Sequence, residues 1–159
     1  MKPAESESII AQTTPSMPDA PRGAAAGRVL IVDDDQTTCE AMERTLGRRG
    51  LVVTWRTSAQ DALELIATSD FDVILTDLVM ATMGGIELCE RILAIRPEVP
   101  VVVVTGHASV EAAIAAMRAG AYDFIVKPID IDVLALVVAR AVEHSRLRDE
   151  VKALRRAGA

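Results

Sequence analysis

Five short, unbroken apolar runs punctuate the chain at Val29–Val32, Leu51–Val53, Val73–Leu75, Val101–Val104 and Phe124–Val126. Between them lie longer segments with apolar residues at helical spacing: Cys39, Met42 and Leu46; then Ala59, Leu63 and Ile66. Leu88, Ile92 and Ile95 follow, and after them Val110, Ile114 and Met117. Strand and helix alternating five times predict a parallel sheet with helices on both faces. Runs that are apolar throughout, and not at every second residue, suit strands covered on both sides. The second, LVVTWR, is the most polar and belongs at an edge. Gly50, Gly84-Gly85, Pro97, Pro100 and Gly120 fall between the periodic segments, where turns are needed.

The flanks differ in character. Residues 1–27 are rich in Pro, Ser, Thr and Ala without strand or helix period, and predict a flexible leader. Beyond Pro128 a last helix starts near Asp130, and nothing stops it before Ala157. Its end, HSRLRDEVKALRRA, is too polar for core. Leu147, Val151 and Leu154 are spaced four and three apart, and Val133, Val137, Arg140 and His144 continue that register backwards. Both a two-stranded coiled-coil seam, giving a homodimer, and a solvated helical tail fit this pattern. The predicted division is a leader over 1–27, a domain over 28–144 and a helical tail or linker over 145–159.

In an open parallel sheet the binding crevice lies at the carboxyl ends of the strands. Past those ends stand Asp33, Asp34 and Asp35, then Asp77, Thr105, and Lys127 followed by Pro128. Helix capping accounts for one of the first three acids. It does not account for Asp77, set between VILT and Leu-Val-Met. Carboxylates crowded at buried strand ends repel one another and lose hydration. Mg²⁺, which takes one or two carboxylates and completes its shell with water and phosphate oxygens, relieves both costs. A screened carboxylate can attack phosphorus, with Lys127 as a second positive partner and Thr105 as a hydrogen-bond donor. The formal net charge of −6, with no dense basic patch, argues against direct nucleic-acid binding. Cys39 and Cys89 lack metal-ligand spacing and read as half-buried thiols. No segment reads as a signal peptide or membrane span, so a cytoplasmic protein is expected.

The pieces VLIVDDD, VILTDLVM, VVVVTGHAS and GAYDFIVKPID, in this order and spacing, resemble the receiver domain of bacterial two-component response regulators. The resemblance spans about Arg28 to His144 and implies a flavodoxin-like α/β fold, with a five-stranded parallel sheet in the order 2-1-3-4-5. It implies that Asp77 is the phosphoacceptor. Asp34 would bind Mg²⁺ directly, Asp33 mainly through water, and Val79 through its backbone carbonyl. Thr105 and Lys127 would contact the phosphoryl group, a cis Lys127–Pro128 bond would aim the lysine, and Phe124 would be the switch aromatic. Asp35 is left as a helix cap.

A sensor histidine kinase or histidine phosphotransfer protein would be the donor. The surface of the fourth helix, fifth strand and fifth helix would meet a downstream protein or an output domain. Such a chain is a signal transducer and not an enzyme. Receivers that precede an ATPase in sigma-54-type activators are the most similar, although no GxxxxGK[ST] occurs here. Where the family has Pro four residues past the phosphoacceptor, this chain has Ala81. That change and Gly84-Gly85 predict a looser loop. His107 stands where the family tunes dephosphorylation.

Three other readings fit less well. DDDQT is not the DxDxT of an aspartate-nucleophile phosphatase. Three acids in the first loop would repel the phosphate of a flavin. An interaction module that works without phosphorylation would usually have lost one of the acids or the lysine.

Overall fold

The computed structural model describes residues 27–106 and 109–158; the expected leader, apart from Gly27, and His107 lie outside the described residues. Five strands, β1 (Arg28–Val32), β2 (Val52–Arg56), β3 (Val73–Thr76), β4 (Val101–Thr105) and β5 (Asp123–Val126), alternate with five helices. These are α1 (Gln36–Gly47), α2 (Ala59–Thr68), α3 (Gly85–Ile95), α4 (Val110–Arg118) and α5 (Ile131–Gly158). All pairings are parallel and the strand order is β2-β1-β3-β4-β5, with β2 at an edge as its polarity predicts. The fold is flavodoxin-like.

Successive strand side chains point to opposite faces, and the core divides accordingly. Val29, Ile31, Val73, Leu75, Val102 and Val104 pack with α1 and α5. Leu30, Val32, Ile74, Val101 and Val103 pack with α2, α3 and α4. Both faces are covered, which is why these strands read as continuous apolar runs. Cys39 and Cys89 belong to these cores, and burial pushes their thiols up to about 12 and about 11.

The helical stripes hold for α1 and α2, where all six expected residues are buried. In α3, Leu88 and Ile92 are buried but Ile95 is 42 % exposed, and Cys89 takes its place. The expected stripe of α4 is on the wrong side. Val110, Ile114 and Met117 are exposed, while Ala116 is buried. This helix approaches the sheet through alanines, which lack the volume that marks a core face in a periodicity reading. Its larger apolar side chains are thereby turned to solvent.

α5 runs unbroken for 28 residues, about 42 Å at the helical rise. Leu134, Val137, Val138, Ala141 and Val142 bury one side of its first part. Val137 is thus core and does not extend a seam backwards from Leu147, Val151 and Leu154, which are all exposed. The division expected at residue 144 falls inside this helix. Just beyond it, Ser145 is buried and donates to the Asp72 carbonyl at 2.6 Å. Arg148 and Lys152, one and two turns on, pair with Glu98. Ser145→Ala is expected to cost about 1 kcal/mol of stability, the usual worth of one such bond, read as a lower urea midpoint at unchanged slope. An unchanged midpoint would mean that the helix past 144 is not anchored through this residue.

Candidate functional site

Register brings the acids together. Val32 pairs with Thr76 across β1 and β3, so the next residues, Asp33 and Asp77, emerge side by side. Their backbones stay tied to the sheet, with Asp77 N–H donating to the Val32 carbonyl at 3.1 Å and Asp33 N–H to the Arg56 carbonyl at 3.2 Å. On the other side Thr105 pairs with Val126, which places Lys127 next in line. The Lys127 N–H donates to the Thr105 carbonyl at 2.8 Å, and the Lys127–Pro128 peptide bond is cis.

Lys127 reaches back to both acids. Its Nζ lies 3.1 Å from Asp33 Oδ2 and 3.3 Å from Asp77 Oδ2. Asp33 is almost wholly buried, and burial is the main influence lifting its pKa above the ordinary carboxylate value. The Asp35 N–H, donating to Asp33 Oδ1 at 2.9 Å, and Lys127 both act against that rise. Burial also works against the Lys127 ammonium, but the bonds and charges of Asp33 and Asp77 outweigh it and hold the pKa above its usual value. The lysine is therefore firmly cationic.

Carboxylate oxygens of Asp33, Asp34 and Asp77 lie within 4.8 Å of one another. Three carboxylates facing one ammonium leave a formal excess of two negative charges. Hard oxygen donors with that excess fit a hard divalent cation such as Mg²⁺. Asp35, by contrast, caps α1: its side chain accepts from the Thr37 N–H at 3.1 Å and from Thr38 Oγ1 at 2.8 Å.

Three other expected residues stand nearby with different exposure. Thr105 is fully buried at the end of β4. Phe124 is half-buried against the α2–α3–α4 core. Val79 is exposed, and its N–H donates to Asp77 Oδ1 at 3.3 Å.

In the loop from β3 to α3, beside the freedom expected of Gly84-Gly85, Gly85 is buried and its N–H donates to the Leu78 carbonyl at 2.7 Å. A Cβ there would stand 2.2 Å from the Asp77 carbonyl oxygen and 2.8 Å from Leu78 Cα. The glycine thus permits a tight backbone approach behind the acid. Ala81, in turn, donates its N–H to Asp34 Oδ2 at 3.2 Å. Neither feature is visible as a pattern of residue types, although a glycine directly opening a helix was a hint of close approach.

Comparisons with known proteins agree with this fold. Residues 29–139 match the family model for the response regulator receiver domain. The C4-dicarboxylate transport transcriptional regulatory protein DctD of Rhizobium meliloti (strain 1021) is 39 % identical over 133 residues, 84 % of this chain and 29 % of that protein. The transcriptional regulatory protein ZraR of Klebsiella oxytoca is 36 % identical over 121 residues, 76 % of this chain and 27 % of its own length. The chain therefore spans under a third of these curated relatives. Among solved structures, NtrX from Brucella abortus superposes with a TM-score of 0.75 at 35 % identity, over 81 % of this chain and 30 % of that one. The beryllofluoride-activated NtrC4 receiver domain dimer superposes with a TM-score of 0.71 at 30 % identity, over 74 % and 98 %.

Proposed function

The chain belongs to the response regulator receiver domains of two-component systems, signalling modules, and from that premise we propose that Asp77 is its phosphoacceptor. One observation carries the reading: Lys127 bridges Asp33 and Asp77, with Asp34 in the same cluster. That arrangement sets the Asp77 carboxylate, an oxygen nucleophile, beside a fixed cation. The donor is a phosphohistidine on a sensor histidine kinase or a histidine phosphotransfer protein. An Asp77 carboxylate oxygen forms the new bond to phosphorus, the P–N bond breaks, and the imidazole leaves with the electron pair. Asp34, Asp77 and the Val79 carbonyl would hold Mg²⁺, with Asp33 acting mainly through water, and the ion would supply positive charge against the acids and the phosphoryl oxygens. Lys127 stays protonated and draws the phosphoryl oxygens by charge and hydrogen bonding. Thr105, at the end of the adjacent strand, donates its hydroxyl to the same group.

Switching follows from differential contact. A phosphoryl group on Asp77 favours the conformer in which Thr105 has moved toward it and Phe124 has turned inward. Phe124 begins half-buried at the margin of the core, so the change asks little of the fold. The affected surface is that of α4, β5 and α5. Its exposed Ile114, Met117, Val126 and Leu136 supply apolar area for a downstream protein or an output domain. The exposed Leu147, Val151 and Leu154 support a homodimer formed through the last turns of α5. Among the described residues no helix is long and apolar enough to cross a membrane, and we place the protein in the cytoplasm without direct nucleic-acid contact. The domain proper starts at residue 28, and α5 carries it on past residue 144 as a helical extension.

Mixing the chain with acetyl phosphate and Mg²⁺ is expected to add one phosphoryl mass, and borohydride trapping should locate it on the peptide carrying Asp77. A chelator should abolish the shift. A folded chain that takes up no phosphoryl group from acetyl phosphate or from a phosphorylated histidine kinase would remove the phosphoacceptor reading.

A further inference from the structure

The backbone at position 81 takes part in the acidic cluster. Proline has no N–H; Ala81 has one, and it is used. It donates to Asp34 Oδ2 at 3.2 Å, across 47 positions of sequence. Two residues earlier, the Val79 N–H lies on Asp77 Oδ1 at 3.3 Å. The loop from β3 to α3 thus lays two amides on two of the three clustered acids. An amide hydrogen carries partial positive charge and seeks the same carboxylate lone pairs as a metal ion.

We propose that the Ala81 amide is a built-in competitor for Asp34. It is a positioning group that holds the loop on this carboxylate and yields its bond as a divalent cation is taken. The inference rests on the reading of Asp34 as a cation ligand. Two links support it. First, the acids carry two negative charges more than Lys127 balances, so the amides are the positive groups at hand when no cation is bound. Second, the loop that carries Ala81 also carries Val79, whose carbonyl the same reading assigns to the cation. The peptide unit that carries the Ala81 N–H directly follows the one that carries the Val79 carbonyl, so a bond that fixes the first restrains the second. Cation uptake and release of the loop then form one equilibrium, which a residue lacking N–H at position 81 would bias toward the bound state. Asp34 and Ala81 are both exposed, so water makes good part of the lost bond and the effect is modest.

The test uses the full chain with Mg²⁺ as the only probe. Calorimetric titration is expected to show Ala81→Pro binding about threefold to tenfold more tightly than the unsubstituted chain. Ala81→Ser, which keeps the amide, should match the unsubstituted chain. Proline also restrains the loop, so a second readout decides. In the unsubstituted protein the Ala81 amide hydrogen, followed by nitrogen-15 NMR, should exchange with solvent faster when Mg²⁺ is saturating. An amide whose exchange is unchanged or slowed overturns the proposal, as does an Ala81→Pro variant that binds no more tightly than Ala81→Ser. Either result leaves Mg²⁺ binding itself standing. No binding in the unsubstituted chain removes the cation reading, and this inference falls with it.

Discussion

Asp77→Asn is expected to abolish phosphoryl uptake from acetyl phosphate while leaving the domain folded. The two side chains have nearly the same shape, so β3 and the loop after it can pack as before. What changes is the nucleophile: an amide oxygen carries no negative charge and cannot form the acyl phosphate. The rate should fall by roughly 10³-fold or more, the scale on which removal of a nucleophile acts. Stability should hold or rise, because the Asp77 charge is one of the influences that lift the pKa of buried Asp33. The bond from Lys127 to Asp33 does not involve the substituted side chain and should remain. Phosphoryl transfer measured by mass, alongside a urea midpoint, separates the two effects. A variant that still gains the phosphoryl mass would move the acceptor elsewhere, and Asp33 and Asp34 would be the residues to substitute next.

How much of this was legible beforehand depends on the kind of contact. Strand order and the convergence of Asp33, Asp77, Thr105 and Lys127 on one rim follow from strand ends in a parallel sheet, a regularity that residue types at fixed spacing reveal. Capping has a chemical signature that accounts for one of the three acids, but singling out Asp35 took the resemblance, which leaves it outside the matched pair. The α4 face could not be read, because alanine serves equally as core and as surface. Val110, Ile114 and Met117 therefore look like the buried stripe, whereas Ala116 is the residue that is buried. The anchoring of Ser145 escaped for a related reason: a serine in a charged helix gives no sign that a distant carbonyl, that of Asp72, awaits it. In the loop after β3, glycine offers more than conformational freedom. In a crowded place, the same missing side chain permits contact.

Gly85 makes that distinction measurable, and Gly85→Ala should be the most destabilising single methyl addition at this site. The added Cβ would meet backbone atoms, the Asp77 carbonyl oxygen at 2.2 Å and Leu78 Cα at 2.8 Å, so no rotamer change can relieve it. Either α3 withdraws and loses the bond from the Gly85 N–H to the Leu78 carbonyl, or the backbone of Asp77 shifts. Overpacking of this kind costs about 3 kcal/mol, on the order of 10 °C in melting temperature for a domain of this size. Gly84 is the internal comparison. A Cβ there would find only the Leu78 carbonyl oxygen, at 3.6 Å, and its φ of −70° suits any residue. Gly84→Ala should therefore cost about 1 kcal/mol or less, through a weaker helix cap. Where Gly85→Ala remains folded it should also accept phosphate more slowly, because the carbonyl it pushes belongs to the acceptor itself. Asp77→Asn loses chemistry with stability intact, whereas Gly85→Ala should lose both together. Equal midpoints for the two glycine variants would show that α3 can shift without strain, and the close approach behind Asp77 would then carry no weight in holding the acid.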